Sequence, residues 1–301
     1  METRLVDWLR IAALGLIFGS SFLAIRIAIE GFGPLGVAAG RITLGAAILL
    51  LLTRARGLAL PAIRGARGRK IWGAALGFGF FSMALPFFLL SWAERFVASG
   101  FAGMSMAATP LLVLPLAHFL VPGDRLTLPK AVGFTIGFVG VVVLIGGGAF
   151  ASVGADLEPV ARFACLGAAA CYAIGSIIVR LAPKTDPIAF AASATLLASA
   201  LILPAALMIE GLPSAPPPGA WAAVVYLGVF PTALANLLLV AVIRSAGPSF
   251  TSLINYQVPL WSVVLGVVFL HETLPGRSYG ALFLILSGMA ISQGWRAPRA
   301  R

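Results

Sequence analysis

Charged side chains are scarce in this sequence: Asp, Glu, Lys and Arg together make up only 10% of the 301 residues. A water-soluble domain carries about 25%, because its surface must face water. A chain this poor in charge turns most of its outside to lipid. Acidic residues are scarcer still, 10 against 21 Lys and Arg, and none stands in the middle of an apolar run. Proton relays through membranes use buried carboxylates or histidines, so proton-coupled efflux of cationic compounds is disfavoured. The only cysteines, Cys165 and Cys171, lie in one apolar run at a spacing that puts them on different helix faces. Neither a disulfide nor a metal pair is expected from them. The two histidines, His118 and His271, stand at run ends without a Cys or carboxylate cluster, so no metal and no cofactor is expected. The net charge of +11 would suit a nucleic acid on a soluble face. Here the basic residues gather in short loops between apolar runs, so a nucleic-acid partner is set aside.

What the sequence does have is length of hydrophobic run. Hydrophobic residues make up 60% of the chain, and the mean hydropathy is +1.03. With about 20 residues needed to cross the hydrocarbon core, the sequence predicts ten spans: 8–29, 34–53, 71–93, 97–119, 130–149, 159–181, 187–208, 219–242, 248–270 and 278–295. Pro34, Pro129, Pro187 and Pro248 lie near span starts, where a missing N–H is harmless. The first span follows Arg4 and Arg10 but has Arg26 at its far end and no small-x-small cleavage site, so it reads as a helix rather than a signal peptide. With the N-terminus inside, sixteen basic residues fall in inner segments and three, Arg95, Arg162 and Arg277, in outer ones. Arg26 and Arg41 lie within spans: Arg26 reads as an interfacial anchor, and Arg41 either snorkels to the headgroups or meets an anionic group of a substrate. The bias places both termini of a multi-pass membrane protein in the cytoplasm.

The chain also repeats itself. Trp72, Phe81, Arg95 and Pro110 recur as Trp221, Phe230, Arg244 and Pro259, each 149 residues later. Phe18 and Arg26 match Tyr172 and Arg180 at a spacing of 154, and Gly140 matches Gly288 with one residue slipped. The expected organisation is two five-helix repeats, 1–150 and 151–301. Five is odd, so the second repeat runs upside down relative to the first. Inverted repeats around a midplane site are a recurring plan of secondary transporters, because exchanging the two halves' conformations swaps the open side.

At this point particular residues carry a resemblance. The first span reads Gly19-Ser20-Ser21-Phe22-Leu23-Ala24-Ile25-Arg26, with Arg41 in the second. The fourth has Ala108-Thr109-Pro110-Leu111-Leu112 and ends in Gly123-Asp124-Arg125-Leu126. The ninth has Val258-Pro259-Leu260 and ends in His271-Glu272-Thr273-Leu274. Over essentially its whole length the chain resembles the EamA family of the drug/metabolite transporter superfamily, and within it an aromatic amino-acid exporter. The resemblance implies an all-α protein of ten transmembrane helices in the inner membrane that exports amino acids or related metabolites. It also implies a central cavity lined by the first, third, fourth, sixth, eighth and ninth helices. The mirror loops differ, Asp124-Arg125 against Glu272-Thr273. Where smaller cation-efflux relatives carry an acidic residue in the first helix, only Gly19, Ser20 and Ser21 stand.

Polar groups at mid-membrane are costly unless they pair or line water, which nominates substrate-binding residues. These are Ser20 and Ser21, Tyr172 and Ser176, Asn236, and Asn255 and Tyr256. Gln257 is the third of a polar trio whose members, 100° apart, cannot all face one way. Phe81, Phe230 and Trp261 supply aromatic walls, the first two being repeat partners. Pro110 and Pro259 lie inside spans as gating kinks, as Pro86 and Pro231 also do. No nucleophile-and-base set or metal ligand set shares a depth, so no catalytic residue is named. The expected function is alternating-access export of amino acids, aromatic ones among them, and related small metabolites, with a small molecule and the bilayer as partners and a monomer as the working unit. The alternative is exchange of anionic metabolites such as sugar phosphates or nucleotide sugars, which calls for two or more cavity cations where only Arg41 is a candidate.

Overall fold

The computed structural model describes residues 5–146 and 157–293. Among these there is no β-strand, and ten helical passes follow one another. They are α1 Leu5–Ala28, α2 Pro34–Ala55, α3 Gly65–Ala93, α4 Ser99–Leu120, α5 Leu128–Ile145, α6 Glu158–Leu181, α7 Pro187–Ile209 and α8 Pro218–Ala246. The ninth pass, α9, is a short turn of helix, Pro248–Thr251, followed by Ile254–Leu270, and α10 is Gly276–Ser292. The first eight are each long and apolar enough to cross a bilayer. The fold is thus the expected all-α membrane architecture, two inverted sets of five helices. The boundary expected at 150/151 and the ends of the spans expected at 130–149 and 278–295 lie outside the described residues.

Polar ties between helix ends show how the passes alternate. On the face where α1 begins, Ser245 Oγ donates to Asp7 at 2.5 Å and Arg180 pairs with Asp124 at 3.0 Å. Arg244 lies 3.6 Å from Asp186 on the same face. On the face where α1 ends, Arg26 donates to the Glu94 carbonyl at the end of α3. There Glu210, after α7, accepts from the backbone N–H groups of Leu35 (3.0 Å) and Gly36 (2.8 Å) at the start of α2. Every tie joins ends that up-and-down passage brings together. Arg26, expected as an interfacial anchor, straps the end of α1 to the end of α3.

Two helix pairs join the halves through their flanks: α2 with α7, and α5 with α10. The α5–α10 seam is the tighter, because glycine faces glycine. A Cβ on Gly288 would lie 2.5 Å from the Gly133 carbonyl oxygen and 2.7 Å from Gly137 Cα. Small residues at a membrane helix crossing let backbones approach and gain dispersion contact that lipid cannot replace.

The structure departs from expectation in how helices bend. Pro86 and Pro231 were expected to kink α3 and α8. Both passes instead contain π-helical stretches, Phe80–Ala84 and Gly228–Leu234, at corresponding places in the two halves. Pro86 sits in the first turn after its stretch and Pro231 within its own. A wider turn absorbs the missing N–H without breaking the pass. In α4 the break is a 3₁₀ turn, Met106–Ala108, just before Pro110. In α9 it falls at Ser252 and Leu253, with Pro259 inside the continuous helix that follows. Helix α3 begins at Gly65, ahead of the expected 71, since a helix is free to continue past the hydrocarbon among Arg67, Arg69 and Lys70.

The glycine seam gives an expected outcome. Gly288→Leu overpacks α5 against α10 and costs about 1–3 kcal/mol, read as a fall in melting temperature in detergent. Gly280→Ala on the same helix, where an added Cβ meets nothing within 4 Å, leaves it unchanged.

Candidate functional site

The inner surfaces of α1, α2, α3, α6 and α8 converge on a polar cluster. Ser20 on α1 shares a 2.6 Å hydrogen bond with the Tyr226 hydroxyl on α8 and donates to its own helix at Ile17 O, 3.1 Å away. The Tyr226 ring stacks on Phe230, with centroids 5.0 Å apart and planes at 23°. Phe230 belongs to the π-helical stretch, as does Thr232, whose hydroxyl donates to Leu227 O at 2.8 Å. Asn236 closes the next turn by donating to the Thr232 carbonyl at 2.5 Å. From α2, Arg41 reaches this stretch: its Nε lies 3.4 Å from Thr232 Oγ1 and its guanidinium carbon 3.7 Å from the centre of the Phe87 ring on α3. Tyr172 on α6 packs between the two largest apolar clusters and lies close enough to feel the Arg41 charge.

The residues nominated from sequence therefore divide. Ser20, Tyr172, Phe230 and Asn236 meet at this cluster. Ser21 is buried and donates to Phe18 O, and Ser176 donates to Ala173 O at 2.7 Å. Both hydroxyls are satisfied by their own helices. Phe81 lies in the α3 π-helical stretch with its ring edge-on to Phe80, 5.1 Å away. On α9 the trio separates: Gln257 packs against Gly15 of α1, Tyr256 is half-buried against the main core and Asn255 is exposed. Trp261 rests its Cβ near Gly19 of α1. The expectation that Arg41 snorkels to the headgroups fails. Only 4% of it is exposed, because the face of α2 that carries it is covered by α3 and α8. Tyr226 and Thr232 were missed, although Tyr226 stands four residues before Phe230, on the same face of a helix.

Two carboxylates lie just past helix ends on the far face, where α1 ends. Glu272 follows α9 and reaches across to the start of α4, where it accepts from Ser99 N at 2.7 Å and Gly100 N at 3.0 Å. His271 makes this reach possible by adopting left-handed backbone, φ 54° and ψ 33°. The carboxylate satisfies orphan donors and meets the positive end of the helix dipole. Beside it Glu94 is fully buried, and neither of its carboxyl oxygens has a hydrogen-bond partner among the described residues. Burial, and secondarily the neighbouring Glu272 charge, push the Glu94 carboxyl well above the usual carboxylate range. Glu94 lies past the end of its span, in keeping with the absence of mid-span acids, but the neighbouring helices close over it.

The near face is arranged differently. Asp124, the repeat counterpart of Glu272 at a spacing of 148, does not cap a helix. It is held by Lys130 at 2.7 Å and Arg180 at 3.0 Å. The Lys130 hydrogen bond, then that of Arg180, holds its carboxyl below the ordinary range, so it is an anion at neutral pH. Helix α4 and helix α9 pack closely through Ser99–Ala108 on the far side. The second half of α4, Thr109–Leu120, packs instead on α6 and α5. The bundle is closed on the far face and parted between α4 and α9 on the near one.

Comparison with known proteins places this geometry. Residues 8–146 and 160–293 each match the EamA-like transporter family. Over 283 residues the chain is 29% identical to the "Uncharacterized inner membrane transporter YedA" of Escherichia coli, covering 93% of this chain and 88% of that one. It is 30% identical over 256 residues to the "Aromatic amino acid exporter YddG" of Ancylobacter novellus, covering 83% and 84%. It is 27% identical over 259 residues to the "Probable terminal-alkyne amino-acid exporter" of Streptantibioticus cattleyicolor, covering 86% and 83%. A solved crystal structure superposes with a TM-score of 0.67 at 24% identity, over 96% of this chain and 98% of that one. The chain belongs to the EamA-like transporter family, and it is a multi-pass membrane transporter.

Glu94 carries a pH signature. An acid whose folded pKa is raised lends stability below its usual value of 4.5, and that stability is lost as pH rises towards the folded value. The melting temperature of the wild type is expected to fall by several degrees from pH 4.5 upwards. Glu94→Gln, which mimics the neutral acid, flattens this slope and melts higher at pH 8.

Proposed function

We propose that this EamA-family transporter is an alternating-access carrier that exports amino acids with aromatic or similarly bulky side chains. The observation that carries the reading is the make-up of the central cluster. The hydroxyls of Ser20, Tyr226 and Thr232 lie among the rings of Phe87, Tyr172 and Phe230, with one cation, Arg41. Neutral hydrogen-bonding groups and apolar walls suit a zwitterion with a ring. Arg41 is also the only fully buried cation among the described residues, which disfavours phosphorylated cargo. Two of the relatives carry amino-acid exporter names, in agreement with this reading. Asn255, Tyr256 and Trp261 on α9 are proposed to close on the substrate when α9 moves. The working unit we propose is two halves, 1–150 and 151–301, with both termini cytoplasmic, as the basic bias requires.

With that orientation the near face is cytoplasmic and the structure is inward-facing. Glu272 then acts as the outer latch, fastening α9 to the start of α4. Its counterpart Asp124 is the inner latch in its released position, parked on Lys130 and Arg180. Rotation of the halves about the α5–α10 seam would free Asp124 to reach the start of α9 as Glu272 leaves α4. The breaks at Met106–Ala108 and at Ser252–Leu253 are where α4 and α9 flex, with Pro110 beside the first and Pro259 nearly two turns beyond the second.

Two outcomes test this. Proteoliposomes containing the purified protein should release labelled phenylalanine, tyrosine or tryptophan severalfold faster than empty vesicles, and Ser20→Ala with Tyr226→Phe should cut the rate about tenfold, as for two lost hydrogen bonds. Release of no amino acid, with exchange of phosphorylated metabolites instead, would sink the assignment. Separately, Glu272→Gln should shift the population outward. Spin labels at positions 119 and 252, on the inner ends of α4 and α9, should move closer together than in the wild-type background, and an unchanged distance removes the latch.

A further inference from the structure

Arg41 is buried seven residues past Pro34, about 10 Å down α2 by the helical rise, and 4% exposed. A cation at that depth is expensive unless it pairs or faces a polar cavity. None of the ion pairs among the described residues includes it. Its one hydrogen bond, Nε to Thr232 Oγ1, is long at 3.4 Å, and the Thr232 hydroxyl already donates to Leu227 O. The Phe87 ring, 3.7 Å from the guanidinium carbon, covers one face of the plane. The two terminal Nη groups bond to no described residue, and they are not among the sealed polar atoms that lack a partner, which are found on Ser91, Glu94, Ser99 and Arg162. They therefore border open space. A guanidinium held by its Nε edge and one face leaves a planar fork of N–H donors, the shape that a carboxylate matches with two parallel bonds.

The repeat shows that the fold has no need of this arginine. Helices α2 and α7 are counterparts, each opening on a proline, Pro34 and Pro187. Seven residues in, α2 has Arg41 and α7 has Ala194, both buried. One half accommodates a methyl group where the other carries a charge, so the charge answers to something other than packing.

We infer that the Arg41 fork binds the carboxylate of the transported molecule, an aromatic α-amino acid whose ring lies among Phe87, Tyr172 and Phe230. This rests on the amino-acid reading above and specifies which end of the cargo the protein grips. One cation matches one carboxylate, and Ser20 with the Tyr226 hydroxyl remains for the amino group. Glu94 is the nearest rival for the arginine's charge, since the two interact at a distance. It makes no ion pair with Arg41, and its oxygens are sealed.

The test compares phenylalanine with phenylalaninamide, which keeps ring and amine but lacks the carboxylate, and with 3-phenylpropionate, which lacks the amine. Uptake and release are measured in proteoliposomes, and ligand-induced shifts in melting temperature in nanodiscs. The wild type is expected to favour phenylalanine over the amide by about tenfold or more, as for a charge-assisted bidentate pair. In Arg41→Ala, built on the Ala194 precedent so that it folds, and in Arg41→Gln, that preference should collapse to near unity. Arg41→Lys should restore part of it, and Glu94→Gln should leave it intact. A preference for phenylalanine that survives in Arg41→Ala overturns the anchor while leaving amino-acid export standing. A wild type that moves and binds neither phenylalanine nor 3-phenylpropionate overturns both.

Discussion

Helix ends that must find hydrogen-bond partners where water is thin set the terms for this structure. A pass through lipid satisfies its own interior, but its first N–H groups and last carbonyls stay open. Here several are closed from elsewhere in the chain. Glu210 of the second half closes the start of α2, and Glu272 of the second half closes the start of α4. Arg162 donates to the last carbonyl of α5, Ile145 O, at 2.5 Å. A helix completed by the opposite half is stable only while the halves keep their positions. The same interaction thereby supplies cohesion and makes it conditional on conformation.

The conditionality is not spread evenly. At its centre the α5–α10 seam interlocks glycine against backbone, with Gly133 and Gly137 facing Gly288. The α4–α9 contact depends on one carboxylate and two N–H groups, beside a second carboxyl, Glu94, that has no hydrogen-bond partner among the described residues. Stability is concentrated at the seam and economised at the latch, the distribution a carrier needs if one region is to hold while another opens.

Much of this architecture was legible in the sequence, because it rests on run length and on residues that recur at constant spacing. Bilayer thickness fixes the length of a pass, and a period of 149 residues between Trp72, Phe81 and Pro110 and their counterparts fixes the pairing of helices. The site was only partly legible. Ser20, Tyr172, Phe230 and Asn236 stood out because polar or aromatic residues at mid-span are visible in one dimension. Thr232 did not, since its role arises from the wider turn that carries it, and no local propensity announces such a turn. Arg41 was visible as a residue, but whether it bends to the headgroups or inward depends on which neighbours cover α2. The burial of Glu94 was not legible for a related reason. Position at a span end says how deep a residue lies along the helix, but not whether other helices close over it.

The paired π-helical stretches also keep the two halves in register. A wider turn accommodates one residue more than the regular helix around it. Were only one half to have such a turn, the spacing between counterparts would change by one across the stretch. It does not: Trp72 and Phe81 before and within the α3 stretch, and Arg95 and Pro110 beyond it, all find their partners at the same 149 residues. The turn that carries Thr232 towards Arg41 therefore has its match in α3, so that halves which trade conformations trade like for like.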